Sequence, residues 1–208
     1  MLPRLHLVTD APTLNAPRFA GRAEAVLHAH GPAIALHLRG HGLPGRTLHA
    51  LAIRLVAVAR DAGAVLFVND RVDVALAVRP DGVQLGPRSL TVDTARALLP
   101  EAIIGYSAHG ADEAAAVDAD FVLLGTIFES PTHAGIEAAG VARIEETARR
   151  TARPIVAIGG VTPERVARVF DAGAYGIAVL SGVWSTSDPA ARTREYIDAL
   201  VAVVPGLA

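Results

Sequence analysis

The chain has 208 residues, of which 51% are hydrophobic and 19% charged, with a formal net charge of -2 and no cysteine. That length supports one large core. The near-neutral charge, without a basic run, leaves no electrostatic footprint for nucleic acid, and no apolar stretch approaches the roughly 20 residues of a membrane span. The 19 basic residues are all arginine, which excludes Schiff-base chemistry through an internal lysine. No charged start leads into an apolar signal core, so a cytoplasmic location is the default expectation.

Eight short apolar runs follow one another along the chain: Leu5 to Val8, Ala33 to Leu38, Val65 to Val68, Gly82 to Leu85, Ile103 to Tyr106, Phe121 to Leu124, Ile155 to Ile158 and Gly176 to Val179. Segments of helical spacing lie between them, such as Leu48, Leu51, Ala52, Leu55, Val58 and Ala59, then Val72 and Leu76, with arginine and aspartate on the other face. Asp61, Asp81 and Asp171, each just ahead of a strand, read as helix stops. Buried strands alternating with amphipathic helices predict a parallel sheet. Eight such units, with no Gly-x-Gly-x-x-Gly after the first strand, predict one (β/α)8 TIM barrel over residues 1–208 rather than a doubly wound sheet.

In such a barrel, chemistry collects after the C-terminal end of each strand. The polar residues there are Thr9 and Asp10, His37, Arg39 and His41, Asn69 and Asp70, Gln84, Ser107 and His109, then Thr126, Glu129, Ser130, Thr132 and His133. Strand alternation puts His37 and Arg39 on one face, a pairing that suits an anionic ligand; the other reading of Arg39 is a structural ion pair at the mouth. Asn69 or Asp70 either caps a helix over 71–78 or meets a ligand or metal. The stretch 154–182 reads as a strand ending at Gly159 and Gly160, a helix capped by Thr162 with Pro163 at its first position, and a second strand ending at Ser181 and Gly182. Two such turns after successive strands make a phosphate cradle, since glycine lets the backbone approach an anion and a helix start points N–H groups at it.

Five segments carry a family resemblance: Leu5-His-Leu-Val-Thr-Asp10; Val68-Asn-Asp-Arg-Val-Asp-Val-Ala-Leu-Ala77 with Asp81-Gly-Val-Gln-Leu-Gly86; Ile104-Gly-Tyr-Ser-Ala-His109; Ala119-Asp-Phe-Val-Leu-Leu-Gly-Thr-Ile-Phe128; and the 154–182 stretch. Together they resemble the thiamine phosphate synthase and thiazole tautomerase superfamily. The resemblance implies a (β/α)8 barrel that binds a thiazole phosphate, its phosphate held at Gly159, Gly160, Val179, Leu180 and Ser181. It extends the substrate-binding set to His37, Arg39, Asn69, Asp70, Gln84, Ser107, Thr126, Ser130 and Thr132.

The two branches of that superfamily differ in chemistry. A synthase joins a pyrimidine diphosphate to the thiazole phosphate and holds the diphosphate with cations and Mg2+. Its Gln-x-Arg-x-Lys pattern on strand 2 is matched by His37, Arg39 and His41. Its metal carboxylates are matched by Asp70 and by Ser89, and its Thr-x-Thr-Lys loop by Ser130, Thr132 and His133. With two permanent cations and one carboxylate absent, the expectation is the tautomerase branch: an isomerase that aromatises a carboxylated thiazole phosphate by a proton shift, without metal. The Gly173-to-Ser185 tail and the glycine spacing from Gly135 to Gly140 resemble that branch too. Imidazole titrates near neutrality and can both remove and return a proton, so the candidate catalytic residues are His133, then His109 and His41. The position where that branch carries a catalytic histidine is Thr126 here. His6, His28, His30 and His49 lie away from the mouth and read as structural or surface groups. The alternatives are a synthase, with Asp70 on Mg2+, and a non-catalytic binder of the same phosphate. The expected partner is the small-molecule thiazole phosphate, not nucleic acid or membrane, and apolar residues at Val201 to Val204 would allow a homodimer face.

Overall fold

The computed structural model describes all residues except 130–137, 205, 207 and 208. Eight parallel strands close into a barrel in sequence order: β1 (Leu5–Val8), β2 (Ile34–Leu38), β3 (Val65–Asn69), β4 (Gly82–Leu85), β5 (Ile103–Ala108), β6 (Phe121–Leu124), β7 (Ile155–Ile158) and β8 (Gly176–Val179). Pairing of Leu5 with both Ile34 and Ile177 makes β1 the closing strand. The helices outside include α1 (Ala11–Asn15), α2 (Phe19–His30), α3 (Gly45–Ala62), α4 (Val72–Val78), α5 (Val92–Leu98), α6 (Ala111–Ala116), α7 (Ala142–Arg150), α8 (Val166–Asp171), α9 (Ser181–Trp184) and α10 (Pro189–Val203). Among the described residues no helix is long and apolar enough to cross a membrane.

Alternation along each strand divides the apolar residues into two packed groups. Leu5, Leu7, Leu36, Leu38, Leu66 and Val68 face the helices, among which α3 packs on β3 and buries the expected stripe of Leu48, Ala52, Leu55 and Ala59. Val8, Ala35, Phe67, Phe121, Leu123, Val156 and Ala178 form the second group, inside the barrel. That interior is filled rather than hollow, in keeping with the layered packing of small barrels. Phe67 stands edge-on to Phe121, with ring centroids 5.5 Å apart. Glycines on the facing strands make the room: a Cβ at Gly82 would sit 2.4 Å from Phe67 Cε1, and one at Gly105 would sit 2.3 Å from Phe121 Cζ.

Local signals explain most element boundaries. α3 stops at Gly63, which adopts φ 71° and donates its N–H to the Ala59 and Arg60 carbonyls. Gly173, at φ 98°, follows α8 in the same way. Asp81 does otherwise. α4 has already ended at Val78, and the Asp81 carboxylate accepts the Leu66 N–H at 2.8 Å, while Asp120 accepts the Ile104 N–H at 2.7 Å. An aspartate ahead of one strand thus pins the start of its neighbour. Thr162 precedes a 3-10 turn (Pro163–Arg165) and makes no side-chain cap bond, so the α-helical turns begin only at Val166. Near the expected dimer face, Val203 packs partly on the core, which leaves Val201 as the exposed large apolar residue there.

Because a Cβ at Gly82 would also sit 2.4 Å from the Ile103 carbonyl oxygen, Gly82→Ala will destabilise the fold by about 1–3 kcal/mol, read from the midpoint of urea unfolding at unchanged slope.

Candidate active site

The C-terminal ends of the strands carry two polar constellations. The first spans β2 to β5. Thr9, fully buried, fixes the end of β2: its Oγ1 donates to the His37 carbonyl and accepts the Arg39 N–H, both at 2.9 Å. His37 is buried below the mouth and stacks on Phe67 with 4.5 Å between centroids. Its Nε2 lies 2.8 Å from His6 Nδ1, and His6 Nε2 lies 3.0 Å from the Pro3 carbonyl. Burial drives the His6 pKa down to about 4, against the opposing pull of the Pro3 bond. Burial, then the neighbouring His6, holds His37 well below the ordinary histidine range. Arg39 follows His37 on the same strand face, and its guanidinium makes no ion pair with the described residues.

Asn69 and Gln84 pair in register across β3 and β4, and both are buried. Gln84 Nε2 donates to Ser107 Oγ at 3.0 Å. The Asn69 amide abuts the His37 ring without forming a bond of good geometry, so His37 Nδ1, Asn69 Oδ1 and Gln84 Oε1 are buried with no hydrogen-bond partner. Asp70 is not a helix cap. It takes φ 63°, its N–H donates to the Gln84 carbonyl, and its carboxylate accepts from Ser89 Oγ at 2.5 Å and lies 3.5 Å from His41 Nε2. An aspartate tolerates this left-handed backbone better than bulkier residues.

The second constellation is a cavity of about 510 Å3 between the ends of β7 and β8. Gly159, Gly160, Val179, Leu180, Ser181 and Gly182 line it, together with Arg165, Arg192 and Tyr196. Gly159 and Gly160 have φ 102° and 60°, and a Cβ on Gly160 would meet the Glu129 carbonyl at 2.4 Å. These glycines therefore serve the packing of the turn as well as any anion. Arg165 Nη1 donates to the Gly160 carbonyl at 2.6 Å and Arg192 Nε to the Gly182 carbonyl at 3.2 Å, so each glycine turn is held by one guanidinium. Tyr196 Oη closes the wall by donating to the Val161 carbonyl at 3.0 Å. The helix expected to open at Thr162 begins as a 3-10 turn, and Arg165 and Arg192 bring formal positive charge to the cavity wall.

Thr126 lies against the first glycine turn, where a Cβ on Gly159 would meet its Cγ2 at 2.5 Å. His109 sits at the start of α6, with its side chain 71% exposed; its N–H donates to Glu113 Oε2 at 2.8 Å and its Nδ1 lies 3.4 Å from the same carboxylate. It is thus bonded to the helix rather than to a mouth residue. Ser130, Thr132 and His133 lie outside the described residues. Sequence reasoning missed Arg165, Arg192, Tyr196 and the link from His6 to His37. Arg165 follows Gly160 by five residues and was within reach of a local reading, whereas Arg192 and Tyr196 arrive from α10.

Comparison with known proteins settles the family. The sequence profile described as thiamine monophosphate synthase matches residues 5–183. The chain belongs to the thiamine monophosphate synthase family. A thiamine-phosphate synthase of Pyrococcus horikoshii is 35% identical over 188 residues, covering 89% of this chain and 88% of its own. One of Methanoculleus marisnigri is 41% identical over 184 residues, covering 86% and 87%. A thiamine phosphate pyrophosphorylase structure from Pyrococcus furiosus superposes with a TM-score of 0.84 at 30% identity, over 97% of this chain and 96% of that one.

These relatives overturn the expectation of the tautomerase branch, which rested on His41, Ser89 and His133. The geometry supplies a physical reason why those departures misled. Ser89 brings an oxygen to Asp70 where a second carboxylate was expected. Among the described residues no group of three or more histidine, aspartate or glutamate side chains could hold a metal unaided. Mg2+ does not need one, because it binds through one or two carboxylates with substrate phosphate and water completing an oxygen shell. Asp70 and Ser89 fit that donor set.

The buried histidines give the fold a pH dependence. A neutral buried histidine takes up its proton only on unfolding, so below its ordinary value of about 6.5 the unfolded chain binds more protons and stability falls with pH. Urea unfolding will show this loss between pH 6.5 and 4, with His6 contributing about 3 kcal/mol at the acid end. The His6→Leu variant will lose less stability over the same range.

Proposed function

We propose that the protein is a thiamine phosphate synthase, a transferase that joins a pyrimidine diphosphate to a thiazole phosphate and releases pyrophosphate. The observation that carries this reading is that one barrel mouth holds an arginine-walled glycine cavity after β7 and β8 and, separately, Arg39, Asp70 and Ser89 after β2 to β4, which we read as two anion sites. A reaction between two phosphorylated substrates needs both. In the reaction, the C–O bond to the diphosphate breaks, a C–N bond to the thiazole nitrogen forms, and the electron pair of the broken bond leaves with pyrophosphate.

In this reading the thiazole phosphate lies in the cavity on Gly159, Gly160 and Val179 to Ser181, with Arg165 and Arg192 raising the local positive potential. Arg39, with no ion pair among the described residues, is left to grip the diphosphate in a bidentate manner. His41 stands beside Asp70 and offers an N–H to the same group. Asp70 and Ser89 would hold Mg2+, which when bound offsets the charge that builds on the departing diphosphate. Asn69, Gln84 and Ser107 form the floor beneath the pyrimidine, and Thr126 buttresses the first glycine turn. The barrel's role is positioning, since holding two reactants in line replaces an encounter in solution.

The test is thiamine phosphate formation by the purified protein from the pyrimidine diphosphate and thiazole phosphate, with and without Mg2+. Turnover that EDTA abolishes is the expected result, and absence of turnover with both substrates and metal overturns the reading. Asp70→Asn should lower kcat by about 100-fold, in the range measured for loss of one transition-state electrostatic contact. Gly160→Asp places a like charge and an obstructed side chain at the cavity, and will raise KM for the thiazole phosphate by about 100-fold or more. An unchanged KM would remove that cavity from the phosphate role.

A further inference from the structure

The glycine cavity lies past the point where the β7–β8 ladder ends. Ile158 and Ala178 are the last residues paired between those strands, so the turns that follow, 159–162 and 180–182, take their spacing from what packs against them. α10 packs on both sides, against the 3-10 turn and α8 after β7 and against α9 after β8. Two of its side chains, one helical turn apart, make the connection. Tyr196 reaches the β7 side, where its Oη donates to the Val161 carbonyl at 3.0 Å. Arg192 reaches the β8 side, where its Nε donates to the Gly182 carbonyl at 3.2 Å. The two also brace one another: the Arg192 guanidinium lies 5.1 Å from the centre of the Tyr196 ring, and Glu195 pairs with its Nη1.

Tyr196 is fully buried. A phenylalanine would fill nearly the same volume, and a buried hydroxyl is unfavourable unless it makes its hydrogen bond, so the oxygen is the part of this side chain that calls for a role. The chain makes way for it. A Cβ at Gly182 would meet Tyr196 Oη at 2.5 Å, too close for both to stand, whereas the next nearest atoms, Cζ and Cε2, lie at 3.5 and 3.9 Å, ordinary van der Waals separations. Gly182 sits within α9 and does not adopt a positive φ, so its backbone does not require glycine. Its missing side chain is room for the phenolic oxygen. One atom of Tyr196 therefore meets both turns, bonded to the first and lying against the second.

We propose that Tyr196 is a positioning residue for the phosphate ester: its hydroxyl, seated between Val161 and Gly182 and braced by Arg192, is a strut that sets the gap between the two glycine turns, and with it the affinity of the cavity for a phosphate group. The inference deepens the synthase reading and rests on it for the identity of the ester, the thiazole phosphate. The strut itself is a property of the free protein. It acts on the ground state, because a gap of fixed width spares the turns from being ordered at the moment of binding. The other substrate lies on the β2 to β4 side of the mouth in that reading and does not depend on it.

The test pairs titration of the free protein with inorganic phosphate, followed by 31P resonance, with steady-state kinetics on both substrates. In Tyr196→Phe, phosphate affinity will fall about 10-fold and KM for the thiazole phosphate will rise about 10-fold, while kcat and KM for the pyrimidine diphosphate stay within about twofold. Gly182→Ala will raise the thiazole phosphate KM by about 10-fold as well. The double variant Tyr196→Phe/Gly182→Ala will be no worse than Tyr196→Phe, because the added methyl group then meets only ring carbons. A wild-type protein that binds no phosphate, a Tyr196→Phe variant with unchanged phosphate affinity and KM, a change that moves kcat and both KM values together, or single effects that multiply in the double variant would each overturn the proposal. If the wild-type protein forms no thiamine phosphate, the synthase reading falls, and the phosphate titrations of the same variants still decide the strut.

Discussion

Closure of a parallel sheet on itself is the constraint from which the rest follows. With no free edge, each strand is buried on both faces, and the inward side chains of eight strands must fill a space whose size is set by strand number and stagger. The sequence meets this by opposing large residues with small ones. Phe67 and Phe121 occupy the middle of the barrel because Gly82, Gly105, Ala35 and Ala178 leave room around them. The same accommodation admits His6 and His37, two polar rings in an otherwise apolar interior, whose contact with one another and with the Pro3 carbonyl leaves only His37 Nδ1 without a bond of good geometry.

Strand positions were legible because a strand buried on both faces is a short run of branched apolar residues closed off by turn residues. The eight expected runs differ from the eight strands by no more than two residues at any end, and the small shifts have local causes. β2 begins after a 3-10 turn over Gly31–Ala33, and β5 runs to Ala108. Asp81 was misread because an aspartate near the end of a helix and one that pins a neighbouring strand look the same in sequence; only the Leu66 N–H distinguishes them. The link from His6 to His37 was out of reach, since the residues are 31 apart and meet only through strand register.

The branch of the superfamily was misread for a related reason. Counting cations and carboxylates at motif positions treats each position as if it acted alone. The folded mouth shares its electrostatics among segments: Ser89 lends an oxygen to Asp70, and Arg165 and Arg192 charge a cavity whose floor is made of glycine turns. The histidine at position 41 likewise acts through a neighbour, since its Nε2 lies 3.5 Å from the Asp70 carboxylate.

The wall of the glycine cavity has a consequence for the order in which the protein becomes competent. Arg192 and Tyr196 reach that wall from α10, while β8 closes the barrel against β1 across the whole length of the chain. During synthesis the first four strands and their polar residues emerge well before the segment that completes the glycine cavity. Contacts of such wide sequence separation form slowly relative to local ones. A growing chain can therefore present the Asp70 side of the mouth while the glycine cavity still lacks a wall, and the two polar constellations stand complete only with the last helix.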